Sequence, residues 1–270
     1  MELKNKRLKD VLEGYGSLAV AFSGGADSTL LLMTARQVLG DRLLAITADS
    51  PLFSRRELSE AVGFCRDYNI RHKVIPFKLN EIEGIVENGP GRCYYCKRSL
   101  FKEFLSVCER EGFYHLAEGT NCDDLKDSRP GLLALEELSI KSPLRYAGFS
   151  KNEVRRALRE KGITTWQKSE SACLATRIPT GEEVTEEKLK AVELAENALR
   201  DIGFDPIRVR HHGSVARIES NPSQGYLFFE KDMAERVYGL IGELGFRYVT
   251  LDLLGYRKGS VNEDCQGKQK

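Results

Sequence analysis

The sequence predicts an α/β protein, a doubly wound parallel sheet followed by a smaller C-terminal α+β domain. Three observations predict it. Short apolar runs of strand length, at 18–22 and 43–48, alternate with stretches of helical spacing. Polar clusters at 23–28, 49–50 and 119–124 each follow a strand-like run, and parallel sheets bind ligands beyond the carboxyl ends of their strands. Past residue 181 the order becomes helix, two alternating strands, helix, strand.

Residues 3–13 read as an amphipathic helix with Leu3, Leu8, Val11 and Leu12 apolar, feeding a buried strand at 18–22 (LAVAF). Ser23-Gly24-Gly25 breaks that strand, and Asp27-Ser28 stand at the start of a helix that ends near Gly40. A second buried strand spans 43–48 (LLAITA), then a helix 55–69 and a strand 72–77, whose Pro76 marks an edge or a strand end. A fourth short strand, 114–117, leads to Glu118-Gly119-Thr120-Asn121. Helices are expected at 97–108 and 150–162, the latter with basic residues toward its C-terminus, where the helix dipole favours them. Residues 177–181 (RIPTG) look like a hinge. Thr185 is a candidate N-cap for a helix to about Ile202, although Lys188 stands where a capping box wants Glu or Gln. Strands at 207–210 and 215–219 form a hairpin about Gly213, followed by a helix at 231–244 and a strand at 248–253. The expected domains are therefore 1–181 and 182–262, with a disordered tail at 263–270.

Lys and Arg total 41 against 40 Asp and Glu, so the chain carries no large positive field, which counts against nucleic acid as a partner. No apolar run approaches the ~20 residues that span a bilayer, and the N-terminus MELKNKRLKD has no signal-peptide core, so the expected location is cytoplasmic, with no membrane partner. Seven cysteines in such a chain point to metal or sulfur chemistry for those that cluster, not to a disulfide framework.

A glycine turn between a buried strand and a helix presents backbone N–H groups at the positive end of the helix dipole, and phosphate is the usual anion there. The Walker lysine and the G-x-G-x-x-G of dinucleotide binders are both absent. Ser23-Gly24-Gly25-Ala26-Asp27-Ser28 resembles SGGxDS, the signature of the PP-loop ATP pyrophosphatases, which cleave ATP between its α and β phosphates. Asp49 is placed to accept hydrogen bonds from a ribose or adenine, or to make an Asx turn before Pro51. Asp123 and Asp124 can hold Mg²⁺ or cap the following turn.

Cys93 and Cys96 form a C-x-x-C pair at a helix start, where the dipole and Arg92, Lys97 and Arg98 favour thiolate. Cys173, in SESACLATR, is the third candidate ligand. Cys65 and Cys108 lie on apolar helix faces and read as core, Cys122 sits in a loop, and Cys265 lies in the tail. Spacing alone leaves three readings open. These are zinc with a fourth ligand among His72, His115, His211 and His212, a redox pair, and an iron–sulfur cluster with one iron left open. Arg208 and Arg210, two apart on one strand, share a face that forks onto a phosphate or simply meets solvent.

Over nearly its whole length the chain resembles the LarE family of pyridinium-3,5-biscarboxylic acid mononucleotide sulfurtransferases. The resemblance rests on the glycine loop, ADSPLF at 48–53, EGTN at 118–121 with Asp123-Asp124, and Arg129-Pro130-Gly131. It extends to SACLATRIP at 171–179, Arg208-Val209-Arg210 and YVTLDL at 248–253. It implies a PP-loop (adenine nucleotide alpha hydrolase-like) fold. The implied activity adenylates a carboxylate of the pyridinium mononucleotide and replaces an oxygen by sulfur, on the way to the nickel-pincer nucleotide. By the same resemblance Ala21, Phe22, Ser23, Gly24, Gly25, Asp27, Ser28, Asp49, Ser50, Gly119 and Asp123 bind ATP, with Mg²⁺ bridging its phosphates. Asp27 and Ser28 act in catalysis, Arg177, Arg208 and Arg210 take the substrate phosphate, and Glu196 and Glu219 hold a divalent cation. One branch of the family sacrifices a cysteine of its own. This chain is similar to the other, in which three cysteines, here Cys93, Cys96 and Cys173, hold a 4Fe-4S cluster that passes on sulfide from a sulfur donor. Members assemble as homo-oligomers, hexamers among them. A tRNA thiolase of the same superfamily, and a nucleotide-binding zinc protein without catalysis, are the rival readings.

Overall fold

Helix and strand alternate from the start of the chain: α1 (Glu2–Gly14), β1 (Leu18–Ala21), α2 (Ala26–Leu39), β2 (Leu43–Asp49), α3 (Arg55–Asp67) and β3 (His72–Pro76). Then come α4 (Arg92–Glu111), β4 (Leu116–Ala117), α5 (Pro130–Glu137), α6 (Pro143–Ala147) and α7 (Lys151–Glu160). The computed structural model describes residues 1–82, 84–126, 130–168 and 172–257. They fall in two units, Met1–Glu83 with Gly91–Ser171, and Gly84–Pro90 with Ala172–Lys270. The expected tail with Cys265, Arg129 of the Arg-Pro-Gly motif, and residues 169–171 lie outside the described residues.

In the first unit all strands pair in parallel, in the order β3-β2-β1-β4. β1 and β2 are the inner strands, which is why they carry continuous apolar runs and not an alternating pattern. Pro76 is the last residue of β3, an edge strand, so both of its expected meanings hold. One core joins Leu8 and Leu12 of α1, Leu18 and Val20 of β1, Leu30, Leu31 and Leu32 of α2, and Val154 and Leu158 of α7. α2 thereby packs on α1 and α7 while its first turn projects from the strand ends. α4 begins at Arg92, so Cys93 and Cys96 lie within its first two turns and not ahead of it. The Gly91 carbonyl accepts from the N–H groups of Tyr94 and Tyr95 at 2.9 and 3.2 Å and so opens the helix early. β4 is shorter than expected because Tyr114 is exposed and His115 turns its ring to Tyr15.

The second unit contains α8 (Glu186–Asp201), the hairpin β5 (Ile207–His212) and β6 (Val215–Ser220), α9 (Lys231–Gly242) and β7 (Tyr248–Leu251). β5 and β6 are antiparallel about Gly213, which has φ 59°, and β7 adds to β6 in parallel. Thr185 caps α8 through its side chain, as expected. The unit starts ahead of residue 182, because residues 177–181 are bound into it and do not form a hinge. The Asn88 amide donates to the carbonyls of Ile178 and Pro179 at 3.3 and 2.8 Å, and Arg177 and Ile178 are buried. Among the described residues no helix is long and apolar enough to cross a membrane.

Two contacts in the first unit give tests. A Cβ on Gly119 would stand 2.8 Å from the Ser28 nitrogen and 3.1 Å from the Asp27 carbonyl carbon, so the exit of β4 rests on bare α2 backbone. Gly119→Ala is expected to lower stability by ~1–3 kcal/mol in thermal unfolding, the cost of overpacking against backbone. Glu153 accepts from the Ser150 N–H in the α7 capping box and pairs with Lys4 of α1 at 2.7 Å. The Lys4 ammonium, followed by the Ser150 N–H, holds its carboxyl down at about 2, from an ordinary 4.5. The folded state therefore gains stability from Glu153 above about pH 4.5 and loses it as pH falls toward 2. In acid titrations followed by circular dichroism, Glu153→Gln should flatten the stability profile over that window.

Candidate active site

Just past β1, Phe22 donates its N–H to the Ile46 carbonyl at 2.8 Å, and its carbonyl accepts from the Thr47 hydroxyl at 2.6 Å. The glycine loop therefore starts from a fixed point. Gly24 takes a left-handed φ of 73°, and Gly25, at the N-cap of α2, offers no side chain to cover the first-turn amides. The Ser23 and Ser28 hydroxyls lie 3.2 Å apart across the loop, and Ser28 Oγ also donates to the Gly25 carbonyl at 3.1 Å. Asp27 sits in the first turn of α2 and accepts from the Asn121 side-chain amide at 3.0 Å. Bare amides, a helix N-terminus and two hydroxyls make a cradle for an anion of phosphate chemistry.

The other strand ends surround this loop. Asp49, the last residue of β2, pairs with Arg55, and it is Ser50, not Asp49, that makes the turn, accepting from the Leu52 N–H at 3.4 Å. The Asp49 carboxylate is half-exposed at the carboxyl edge of the sheet. After β4, Glu118 accepts from Thr120 and from the Ser142 hydroxyl at 2.6 Å, which ties the motif to the next loop. Among the described residues neither carboxylate caps the turn that follows it: Asp123 accepts from the Lys151 N–H at the start of α7 at 2.9 Å, and Asp124 from the preceding Asn121 N–H at 3.1 Å. Lys168 was not anticipated. Its Nζ donates to the Gly24 carbonyl at 3.0 Å and lies 2.6 Å from Glu60. Nothing local distinguishes it among the 41 Lys and Arg residues.

In the second unit Arg208 and Arg210 are 4% and 5% exposed, so the solvated-face reading is overturned. Arg210 donates to Glu219 at 2.7 Å and to the Thr176 carbonyl at 2.9 Å, while Arg208 lies over the Tyr256 ring. Arg177 forks onto Glu196 at 2.8 and 3.1 Å and also holds the Ala172 and Cys173 carbonyls at 2.8 and 3.1 Å. Arg200 completes the Glu196 shell at 2.8 Å, with the Val209 N–H at 3.2 Å. Burial pushes the Glu196 carboxyl up, but Arg177, Arg208 and Arg200 outweigh it and hold the group below the usual carboxylate range. Burial, reinforced by the Arg177 charge, lowers Arg208. Glu196 and Glu219, the residues the resemblance assigns to a divalent cation, are thus wrapped in guanidinium groups that outnumber them. Such a cluster suits an anion.

Cys65 and Cys108 are buried in the core as expected, and burial raises their thiols to about 12 and about 11. Cys93 is exposed, Cys96 and Cys173 are half-buried, and none of the described cysteines is in a disulfide. Gly131 closes on the C-x-x-C turn, where a Cβ would meet the Lys97 side chain at 2.8 Å and the Cys93 carbonyl at 3.3 Å. Three accessible thiols, two of them on one helix N-terminus, have the donor chemistry of an iron–sulfur or zinc site. Cys93 and Cys96 belong to the first unit and Cys173 to the second. Among the described residues no group of three or more His, Cys, Asp or Glu side chains stands together as a metal site. His72 bonds the Thr47 hydroxyl at 2.8 Å, and His211 stacks edge-on to Phe246.

No protein-family model matches the chain. It is 35% identical over 263 residues to the pyridinium-3,5-bisthiocarboxylic acid mononucleotide synthase of Lactiplantibacillus plantarum, covering 96% of this chain and 94% of that protein. It is 37% identical over 259 residues to an uncharacterised protein of Synechocystis, covering 95% and 97%. One of the subunits of the glutamine-hydrolysing GMP synthase of Thermoplasma acidophilum is 30% identical over 207 residues, 69% of this chain and 64% of its own length. That likeness supports a PP-loop fold. With the glycine loop seated at the end of a central parallel strand and identity running the length of the synthase, the chain belongs to the LarE family of the PP-loop superfamily.

Proposed function

We propose that this protein is an ATP-dependent sulfurtransferase that converts a carboxylate of pyridinium-3,5-biscarboxylic acid mononucleotide into a thiocarboxylate, in nickel-pincer nucleotide biosynthesis. The reading is carried by the end-to-end likeness to the Lactiplantibacillus synthase together with the phosphate cradle at residues 23–28. An oxide ion is a hopeless leaving group from a carboxylate. When a substrate carboxylate oxygen attacks the α-phosphorus of ATP, the bond to the β-phosphate breaks and pyrophosphate departs. The carboxylate becomes an acyl adenylate whose leaving group is AMP.

The first-turn amides of α2 and the Ser23 and Ser28 hydroxyls stabilise the charge that builds on pyrophosphate, electrostatic help already oriented before reaction. Asp27, steadied by Asn121, is the carboxylate within the loop and would take the Mg²⁺ that accompanies the triphosphate. Asp49 would accept hydrogen bonds from the ribose or adenine, and Gly119 would line the site where it meets the Asp27 and Ser28 backbone. Arg177, Arg208 and Arg210 bind the substrate phosphate, with Glu196 and Glu219 holding the guanidinium groups in place. Cys93, Cys96 and Cys173 would hold a 4Fe-4S cluster, which would supply sulfide as the nucleophile for the activated acyl carbon. Exposed Tyr226, Phe229, Leu253 and Leu254 in the second unit support a homo-oligomeric assembly. Accessible thiols outside any disulfide fit the reducing cytoplasm.

Incubation with ATP, Mg²⁺ and the pyridinium substrate should release AMP and pyrophosphate in equal amounts; ADP and phosphate would overturn the assignment. Arg208→Lys keeps the buried charge but loses the fork, and should raise KM for the mononucleotide roughly 10- to 100-fold while KM for ATP stays near wild type. Anaerobic reconstitution with iron and sulfide should give a broad brown absorbance that Cys93→Ala abolishes, whereas a colourless protein holding one zinc would count against the cluster.

A further inference from the structure

Resting on the ATP-binding reading, we infer that Lys168 is the cation of the glycine loop, parked on the Gly24 carbonyl and Glu60 until polyphosphate draws it onto the β- and γ-phosphate oxygens. The loop itself supplies only neutral dipoles. Within residues 23–28 the single formal charge is the Asp27 carboxylate, which repels an anion. A phosphate loop without a lysine of its own needs positive charge from elsewhere, and Lys168 is already there: its Nζ is 3.0 Å from the carbonyl oxygen of Gly24.

The backbone that carries Lys168 is held firmly. Arg155 of α7 donates to the Trp166 carbonyl at 2.7 Å and to the Lys168 carbonyl at 2.9 Å, and the Arg159 guanidinium lies over the Trp166 ring. α7 packs on α2, the helix that starts at the loop, so the base of the lysine and the cradle share one rigid support. The side chain is held more lightly. Its partner Glu60 sits in the exposed part of α3 at 2.6 Å, beside Arg56 at 3.6 Å, and a half-exposed pair of this kind contributes little to stability. A four-carbon stem with a compact ammonium can leave such a pair for a multiply charged ligand a few ångströms away. The result is a loop that gains its counter-charge only when the polyphosphate arrives, in place of a built-in lysine.

The test is equilibrium binding on the full chain with three probes, Mg·ATP, inorganic pyrophosphate and AMP, for wild type, Lys168→Met, Lys168→Arg and Glu60→Gln. Lys168→Met should weaken ATP and pyrophosphate at least 10-fold, change AMP less than about threefold, and leave the ligand-free melting temperature near wild type. Lys168→Arg should restore most of the loss. Glu60→Gln keeps the lysine but removes its carboxylate partner, together with the exposed pair to Arg56, so pyrophosphate should bind as tightly or more tightly. Equal losses for ATP and AMP in Lys168→Met, or unchanged pyrophosphate binding, would overturn the inference, as would weaker pyrophosphate binding in Glu60→Gln. Failure of the wild type to bind ATP at all would instead sink the ATP-dependent reading on which it rests.

Discussion

Gly119 touches the backbone of α2 at its first turn, and the closure of the loops around the glycine turn depends on that contact. A parallel sheet sends all its strand ends to one edge, but the edge becomes a site only if the loops there can close on each other. The exit of β4 reaches the Asp27 and Ser28 backbone because position 119 has no side chain. From there Asn121 reaches Asp27, and Asp123 reaches the first turn of α7. The start of α2 carries no side-chain cap, while the residues around it are tied down. That combination of fixed surroundings and bare donors is what an anion site requires, since no reorganisation is needed when charge appears.

The second unit solves the opposite problem. Burying several guanidinium groups on one small sheet is costly unless carboxylates and carbonyls satisfy them, and Glu196 and Glu219 do this from inside the core. Replacing such a cluster by apolar residues usually does not destabilise a protein, so its presence speaks for a task and not for stability. Arg177 links the cluster to the Cys173 backbone through two carbonyls. The guanidinium cluster and the Cys173 backbone are therefore held by the same side chain.

The cysteines divide along physical lines. Cys65 and Cys108 are core atoms whose burial keeps them protonated and inert. Cys93 and Cys96 occupy a helix start that Gly91 opens and on which Gly131 packs closely. Their reach to solvent and their place near a helix N-terminus set them apart from the two buried thiols.

Much of this protein was legible from residue order alone. LAVAF and LLAITA declare inner parallel strands because two-sided burial leaves no place for a polar face, and SGGADS declares an uncovered helix start because glycine adds nothing to hide it. Ser150 and Thr185 mark helix starts through local hydrogen bonds that need only three residues of context. Tertiary structure decided the rest, because it concerns residues distant in sequence. Alternation makes Arg208 and Arg210 share a face, but only the packing of α8, with Glu196 at its centre, makes that face an interior one. Residues 177–181 look like a hinge until Asn88, ninety positions earlier, bonds their carbonyls. Lys168 becomes part of the glycine loop only because α7 brings it there, 144 residues along the chain from Gly24. Local propensity can specify an element; a charge acquires its role from what the fold sets beside it.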